Sequence, residues 1–201
     1  MMDNKTKTVL LCGVGGQGTI LAADLLAAAC LAAGRDVKVS EIHGMAQRGG
    51  AVTTVVRVGE HVSSMVSDLG AADVVVSFET TEALRNLPQL AEGGALIVND
   101  EAIKPLPVLT GVAKMPEHAR ERLAEAGALL VPAASIARSC GNAKCANVVL
   151  VGALSAMLDI PADIWERIVA GRVPEHTVEA NLAALAAGRS FVTEREGEEI
   201  L

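Results

Sequence analysis

Leu10-Leu11-Cys12-Gly13-Val14-Gly15-Gly16-Gln17-Gly18 decides how the rest of this 201-residue chain is read. An apolar run stops abruptly in a turn with four glycines in the six positions Gly13 to Gly18, and a helix-forming stretch, Thr19 to Ala33, follows at once. The order strand, glycine turn, helix puts the G-x-G-x-x-G match (Gly13, Gly15, Gly18) where it has physical meaning. Glycines let the chain turn tightly and let its backbone approach a bound group closely. Open N–H groups and the dipole at the start of the following helix favour an anion such as a phosphate. The same letters also fit a glycine-rich turn that only packs a helix on a sheet.

Outward from that turn, Lys7–Val14 reads as a strand, and Gly34 closes the Ala/Leu-rich helix, whose one charge is Asp24. Asp36–Ile42 alternates apolar and polar residues and reads as a second strand, so a β-α-β crossover and a parallel strand pair are expected. His43–Ala51 has no periodicity and carries three glycines, which makes it a loop just past the carboxyl end of a strand, where ligands gather in open α/β sheets. Val52–Val58 is strongly β-branched, Gly59-Glu60 turns the chain, and His61–Ser67 is read as the return strand of a hairpin.

Further along, Asp73–Phe78 and Ala95–Asn99 read as buried strands and Ala128–Val131 as a last one. Between them, Thr80 or Thr81 is placed to cap a helix running to about Leu90, with Glu82 in its first turn. Asp100–Gly111 holds two prolines and is read as a loop, and Pro116–Ala126 as an exposed helix. Beyond Pro132, helices are expected at Cys145–Leu158, Asp163–Ala170 and from Pro174 to Ala187, with an acidic, frayed end at Glu194–Leu201. They form a surface that covers the sheet or meets another subunit. The fold class is α/β: a Rossmann-like, mainly parallel sheet with a hairpin insertion and a helical C-terminal portion, one domain over 1–201.

Composition narrows the function classes. Hydrophobic residues make up 51%, which predicts a packed globule. Aromatic residues make up 1% and the net charge is -7, so base-stacking platforms and a basic footprint for nucleic acid are both missing. Cys12, Cys30, Cys140 and Cys145 form no C-x-x-C pair, so no zinc or iron–sulfur spacing is spelled out. Met1 to Thr8 holds no apolar leader, and the uncharged run Cys145–Leu158 is short for a bilayer. A cytoplasmic protein is expected.

Two clusters carry chemistry. In the first, Asp36 and Glu41 bracket the position, about 20 residues past the glycines, where a dinucleotide-binding fold holds a ribose. That gives a free-standing NAD-type oxidoreductase as one reading, with Glu41 at the strand end as its acid. In the second, Arg48 lies between Gln47 and Gly49-Gly50, and a guanidinium there can fork a carboxylate or phosphate. His43 adds a donor that titrates near neutrality. Arg48 paired with Glu41 or Glu79 as a loop clasp fits equally. Asn142 and Asn147 flank Cys145, where capping and burial account for them. No triad, metal motif or nucleophile elbow is present, so catalytic machinery is expected to lie elsewhere.

The turn Gly13–Gly18 followed by Glu41-Ile42-His43-Gly44-Met45-Ala46-Gln47-Arg48-Gly49-Gly50 resembles the gamma-type domain of 2-oxoacid:ferredoxin oxidoreductases, the small (beta) subunits of the indolepyruvate type above all. Ser77-Phe78-Glu79 and Gly141-Asn142-Ala143-Lys144-Cys145-Ala146-Asn147 leading into Gly152-Ala153-Leu154 extend the likeness over nearly the whole chain. The resemblance implies a subunit of an enzyme that decarboxylates a 2-oxoacid on thiamine diphosphate with magnesium. Electrons then pass through 4Fe-4S clusters to ferredoxin, and an acyl-CoA is released. Thiamine diphosphate and clusters would belong to a large partner subunit, and CoA would be a substrate. Gly13, Gly15, Gly16, Gln17, Gly18, His43, Gln47, Arg48, Gly49, Gly50, Asn142 and Asn147 become the residues expected to face CoA or the partner's active site. Pyruvate- and ketoisovalerate-type enzymes carry a related domain, and a scaffold subunit whose turn binds nothing is the bland alternative.

Overall fold

The computed structural model describes residues 6–44 and 50–198. Among them a six-stranded sheet has the order β2-β3-β1-β4-β5-β6, formed by β1 (Lys7–Val14), β2 (Asp36–His43), β3 (Ala51–Gly59), β4 (Ala72–Ser77), β5 (Leu90–Asn99) and β6 (Leu129–Val131). Pairs β1–β4, β4–β5 and β5–β6 are parallel, whereas β3 runs antiparallel to both β1 and β2. The mainly parallel α/β class is therefore as expected, and its hairpin is in a different place.

That hairpin is β2–β3. The expected parallel β1–β2 pair does not form, because β3 lies between the two strands. The expected return strand at His61–Ser67 is absent for the same reason: both edges of β3 are already taken. The 60–71 segment is instead a loop tied to the sheet by side chains. Arg57 Nη1 donates to the carbonyl oxygens of Ser64 at 3.0 Å and Val66 at 2.8 Å, and Val62 N–H donates to the Asp36 carboxylate at 2.8 Å.

Alternation along β1 sends Val9 and Leu11 to one face of the sheet and Leu10 and Cys12 to the other, all of them buried. On the first face lie α1 (Thr19–Ala32), α5 (Ala133–Ser139), α6 (Ala146–Ala156), α7 (Ala162–Arg172) and α8 (Val178–Glu198), with Leu25, Leu26, Leu154, Trp165 and Leu185 in the core. The second face carries α2 (Thr80–Asn86) and α4 (Ala119–Glu125), through Ala83 and Leu123. The one-turn helix α3 (Leu106–Leu109) occupies part of what reads as loop in the sequence. The C-terminal helices thus cover a sheet face. Helix α8 continues past the expected Ala187 to Glu198, and α5 is a helix that the sequence reading lacks.

Helices α6 and α8 cross backbone to backbone. A Cβ at Gly152 would overlap the Leu185 carbonyl oxygen, and one at Gly188 would overlap that of Val149. The cap of α2 also differs from expectation. Buried Glu79, not Thr80 or Thr81, is the N-cap, and its carboxylate accepts from the backbone N–H groups of Thr81 and Glu82. No helix among the described residues is long and apolar enough to cross a membrane.

Candidate functional site

Every strand but β3 points its carboxyl end the same way, and at that end the glycine turn meets three other elements. Gly18 is the N-cap of α1 with φ 80°, in the left-handed region that favours glycine, and no side chain of the described residues caps the first turn of this helix. A Cβ at Gly18 would run into the side chain of Asn147 near the start of α6, whose Nδ2 lies 3.5 Å from the Gly18 carbonyl oxygen. Gly13 is equally confined: a Cβ there would press on Gln17, Phe78 and Thr19. Gly16 has φ 98° with nothing among the described residues within 4 Å of its missing Cβ, and it lines the cleft.

Gln17 locks the turn from inside. Its Oε1 accepts from Val14 N–H at 2.8 Å, and its Nε2 donates to the Phe78 carbonyl oxygen at 2.8 Å. That carbonyl also accepts from Asn99 Nδ2 at 3.1 Å, which ties the end of β5 to the turn. Asn99 is buried, and its Oδ1 has no hydrogen-bond partner among the described residues. Between these groups lies a cleft of about 390 Å³ lined by Gly16, Gln17, Asn99, Glu101, Lys144 and Asn147, among others. It offers backbone amides and an ammonium for an anion, and Asn99 Oδ1 as an acceptor for a ligand N–H or O–H.

The second motif reaches the same place. Gly15 N–H donates to the Gly50 carbonyl oxygen at 3.0 Å, and Gly44 N–H donates to that of Ala51 at 2.7 Å. His43 pairs with Val52, which pairs in turn with Gly13, so the β2–β3 loop both starts and ends beside the glycine turn. Gln47, Arg48 and Gly49 lie outside the described residues. Asn142 does not line the cleft itself; its Oδ1 accepts from Lys144 N–H at 3.0 Å and caps the 3-10 turn Ala143–Cys145, whose Ala143 and Lys144 do. Glu41 is exposed on edge strand β2 opposite Thr54, a full strand spacing (~4.8 Å) farther from β1 than a dinucleotide-binding acid would be. The ribose geometry of the NAD reading is not formed.

Comparison with known proteins decides between the remaining readings. The family model for pyruvate ferredoxin/flavodoxin oxidoreductase matches residues 8–191. The chain belongs to that family. It is a subunit of a 2-oxoacid:ferredoxin oxidoreductase. It is 37% identical over 96% of its length to the indolepyruvate oxidoreductase subunit IorB of Thermococcus kodakarensis, covering 99% of that protein. It is 38% identical over 92% of its length to the subunit of the same name from Pyrococcus horikoshii, covering 95% of it. Among solved structures, the gamma subunit of a keto/oxoacid ferredoxin oxidoreductase from Geobacter sulfurreducens superposes with a TM-score of 0.70 at 25% identity, over 94% of this chain and 99% of that one.

Complexes of this family use thiamine diphosphate and iron–sulfur clusters, so the thiols of this oxidoreductase subunit can be tested as ligands. Iron–sulfur clusters are held by thiolates. Burial pushes the Cys12 and Cys30 thiols up to about 12, and burial together with Cys140 raises that of Cys145. Among the described residues no three His, Cys, Asp or Glu side chains gather as a metal site. The cysteines of this chain do not fit a cluster. Lys144, Asn99 and Glu101 are cleft residues that the sequence reading does not single out. A polar residue ending the apolar run Leu96–Val98 is the signal that marks Asn99, and the one cation in Gly141–Asn147 marks Lys144.

Proposed function

We propose that this chain, as one gamma-type domain over 1–201, is the small subunit of an indolepyruvate-type oxidoreductase and lends it the wall that holds CoA. The overall reaction converts an arylpyruvate and CoA into an arylacetyl-CoA, CO2 and a proton while two ferredoxins are each reduced by one electron. The partner is a large cytoplasmic subunit that carries thiamine diphosphate, magnesium and the 4Fe-4S clusters. The observation that carries the reading is the convergence at one cleft of the uncapped start of α1, Gly16, Lys144 and the unpartnered Asn99 Oδ1. Backbone amides and the lysine suit a pyrophosphate, and the asparagine oxygen suits an amide or amino group on the same ligand. Gly13, Gly15, Gly16, Gln17 and Gly18 form the turn, Asn147 packs against Gly18 and Asn142 caps the segment that carries Lys144; His43, Gln47, Arg48, Gly49 and Gly50 are assigned to the same ligand. The names of the relatives in two archaea support indolepyruvate as the oxoacid.

Anaerobic purification of the tagged chain from its native host tests the assignment. A brown large subunit should co-elute, and the eluate should reduce ferredoxin with indolepyruvate only when CoA is present. A colourless chain that elutes alone would overturn it.

A further inference from the structure

The chain between β5 and α4 leaves the sheet at Asp100 and comes back beside it at Arg120, whose guanidinium binds the Asp100 carboxylate at 2.7 Å. The loop so closed stands on the carboxyl end of the sheet, next to Asn99 and Glu101 of the glycine cleft. Its helix α3 and the turn that follows hold out three apolar side chains: Leu106 is 71% exposed, Leu109 67% and Val112 83%. Single apolar side chains on a surface are ordinary, but three between 106 and 112 form a patch. The patch is braced. Pro105 is the N-cap of α3 and its carbonyl oxygen accepts from Leu109 N–H at 3.1 Å, while Thr110 donates to the Leu106 carbonyl oxygen from its N–H at 2.9 Å and its Oγ1 at 3.0 Å. Side chains presented on a fixed turn lose little freedom when they are bound. Residues 102–116 also carry Lys104 and Lys114, both exposed, and no acid, in a chain whose net charge is -7.

The patch continues the rim of the cleft through Asp100 and Glu101, so a protein that covers the cleft meets α3 as well. Three such side chains expose on the order of a few hundred Å², less than the roughly 800 Å² that each partner buries in a stable interface. On its own α3 is too small to hold a partner, and joined to the cleft rim it is an anchor within a larger contact. We propose, resting on the reading of this chain as the CoA wall of a two-subunit enzyme, that α3 seats the chain on the large subunit. Leu106, Leu109 and Val112 enter an apolar socket there, rimmed by carboxylates that face Lys104 and Lys114.

The test mixes the tagged full chain with the separately purified large subunit under anaerobic conditions and reads association and dissociation rates by biolayer interferometry. The unaltered chain is the reference. If it forms no complex, the large-subunit reading falls and this proposal with it; if it does, the variants judge α3 alone. Leu106→Ser with Leu109→Ser should weaken binding about 100-fold. Lys104→Gln with Lys114→Gln should slow association about tenfold at low salt and change dissociation little. Leu69→Ser, at a residue 72% exposed in the loop between β3 and β4 at the other end of the sheet, should change nothing. Wild-type affinity in a folded leucine variant, an equal loss in Leu69→Ser, or an association rate indifferent to the two lysines would overturn the proposal. So would self-association of the isolated chain that the leucine changes abolish. If the leucine variant does not fold, hydrogen exchange on the unaltered complex decides: a four-residue helix exchanges fast when free, and the amides of Leu109 and Thr110 should slow on assembly. Unchanged exchange there would overturn the proposal.

Discussion

Gly15 donates its backbone N–H to the carbonyl oxygen of Gly50 at 3.0 Å, and this bond joins two motifs that are 35 residues apart in the sequence. The glycine turn belongs to a β-α unit and the Gly50 loop to an antiparallel hairpin. They meet because β3 inserts against β1 and brings the end of its loop back to Val14. The cleft depends on that insertion. With the parallel β1–β2 pair of a plain dinucleotide-binding fold, the loop would have no such place to return to.

Gly18→Ala and Gly16→Ala separate strain from collision at the turn. Both place a Cβ on left-handed backbone, which costs about 1 kcal/mol. Gly18→Ala also drives into Asn147 and should lose about 2–3 kcal/mol in total, whereas Gly16→Ala meets no atom of the described residues and should lose about 1. Urea unfolding of the two variants measures the difference. Equal losses would mean that Asn147 yields freely.

Gln17→Ala leaves Val14 N–H without its acceptor and the Phe78 carbonyl with Asn99 Nδ2 alone, and should destabilise the chain by about 1–3 kcal/mol. Gln17→Glu keeps the acceptor for Val14 but sets a carboxylate oxygen against the Phe78 carbonyl, so it should be no more stable than Gln17→Ala at neutral pH. Thermal denaturation ranks the three proteins.

The sequence made the turn legible and the insertion illegible, for physical reasons that these residues illustrate. An apolar run, four glycines and an Ala/Leu helix are local signals, and Leu10–Ala32 folds as they dictate. Which strand neighbours β1 is not local. The β-branched run Val52–Val58 announces a strand but not its partners, and a seven-residue connection between β2 and β3 reads as a loop on the way to a helix as readily as a hairpin loop. Helix α5 escapes because its seven residues offer no cap side chain and barely two turns of pattern. In the cleft, the glycines and Asn147 were visible from the motif. The part played by Asn99 was not, since it depends on β5 lying two strands from β1.

Thiol reactivity should follow burial. Cys12 and Cys30, pushed up to about 12, and buried Cys145, also raised, remain protonated near pH 8, whereas Cys140 is partly exposed. A colorimetric thiol reagent should therefore titrate one thiol rapidly in the native chain and four in denaturant. Fast reaction of more than one would contradict the packing around β1, α1 or the start of α6.

Acid sensitivity should report on Asp36. The hydrogen bond from Val62 N–H, more than the charges of Lys38 and His61, holds its carboxyl below the usual aspartate range. A depressed folded value means stability that is complete above the ordinary aspartate pKa, about 3.9, and is lost as pH falls through the lower folded value. Asp36→Asn should lower Tm near pH 7 and narrow the gap to wild type as pH falls toward about 3. Glu82 has the opposite sense, because burial raises its carboxyl, so Glu82→Gln should gain relative to wild type as pH rises through that range.

The most direct test of the CoA-holding cleft is the steady-state kinetics of the intact complex carrying Lys144→Gln. Lysine 144 lies on the cleft wall and is exposed, so its loss should leave assembly and folding intact. The account predicts that KM for CoA rises about tenfold, the equivalent of 1.4 kcal/mol, while KM for indolepyruvate stays within twofold. An unchanged KM for CoA in an assembled, active complex would contradict it.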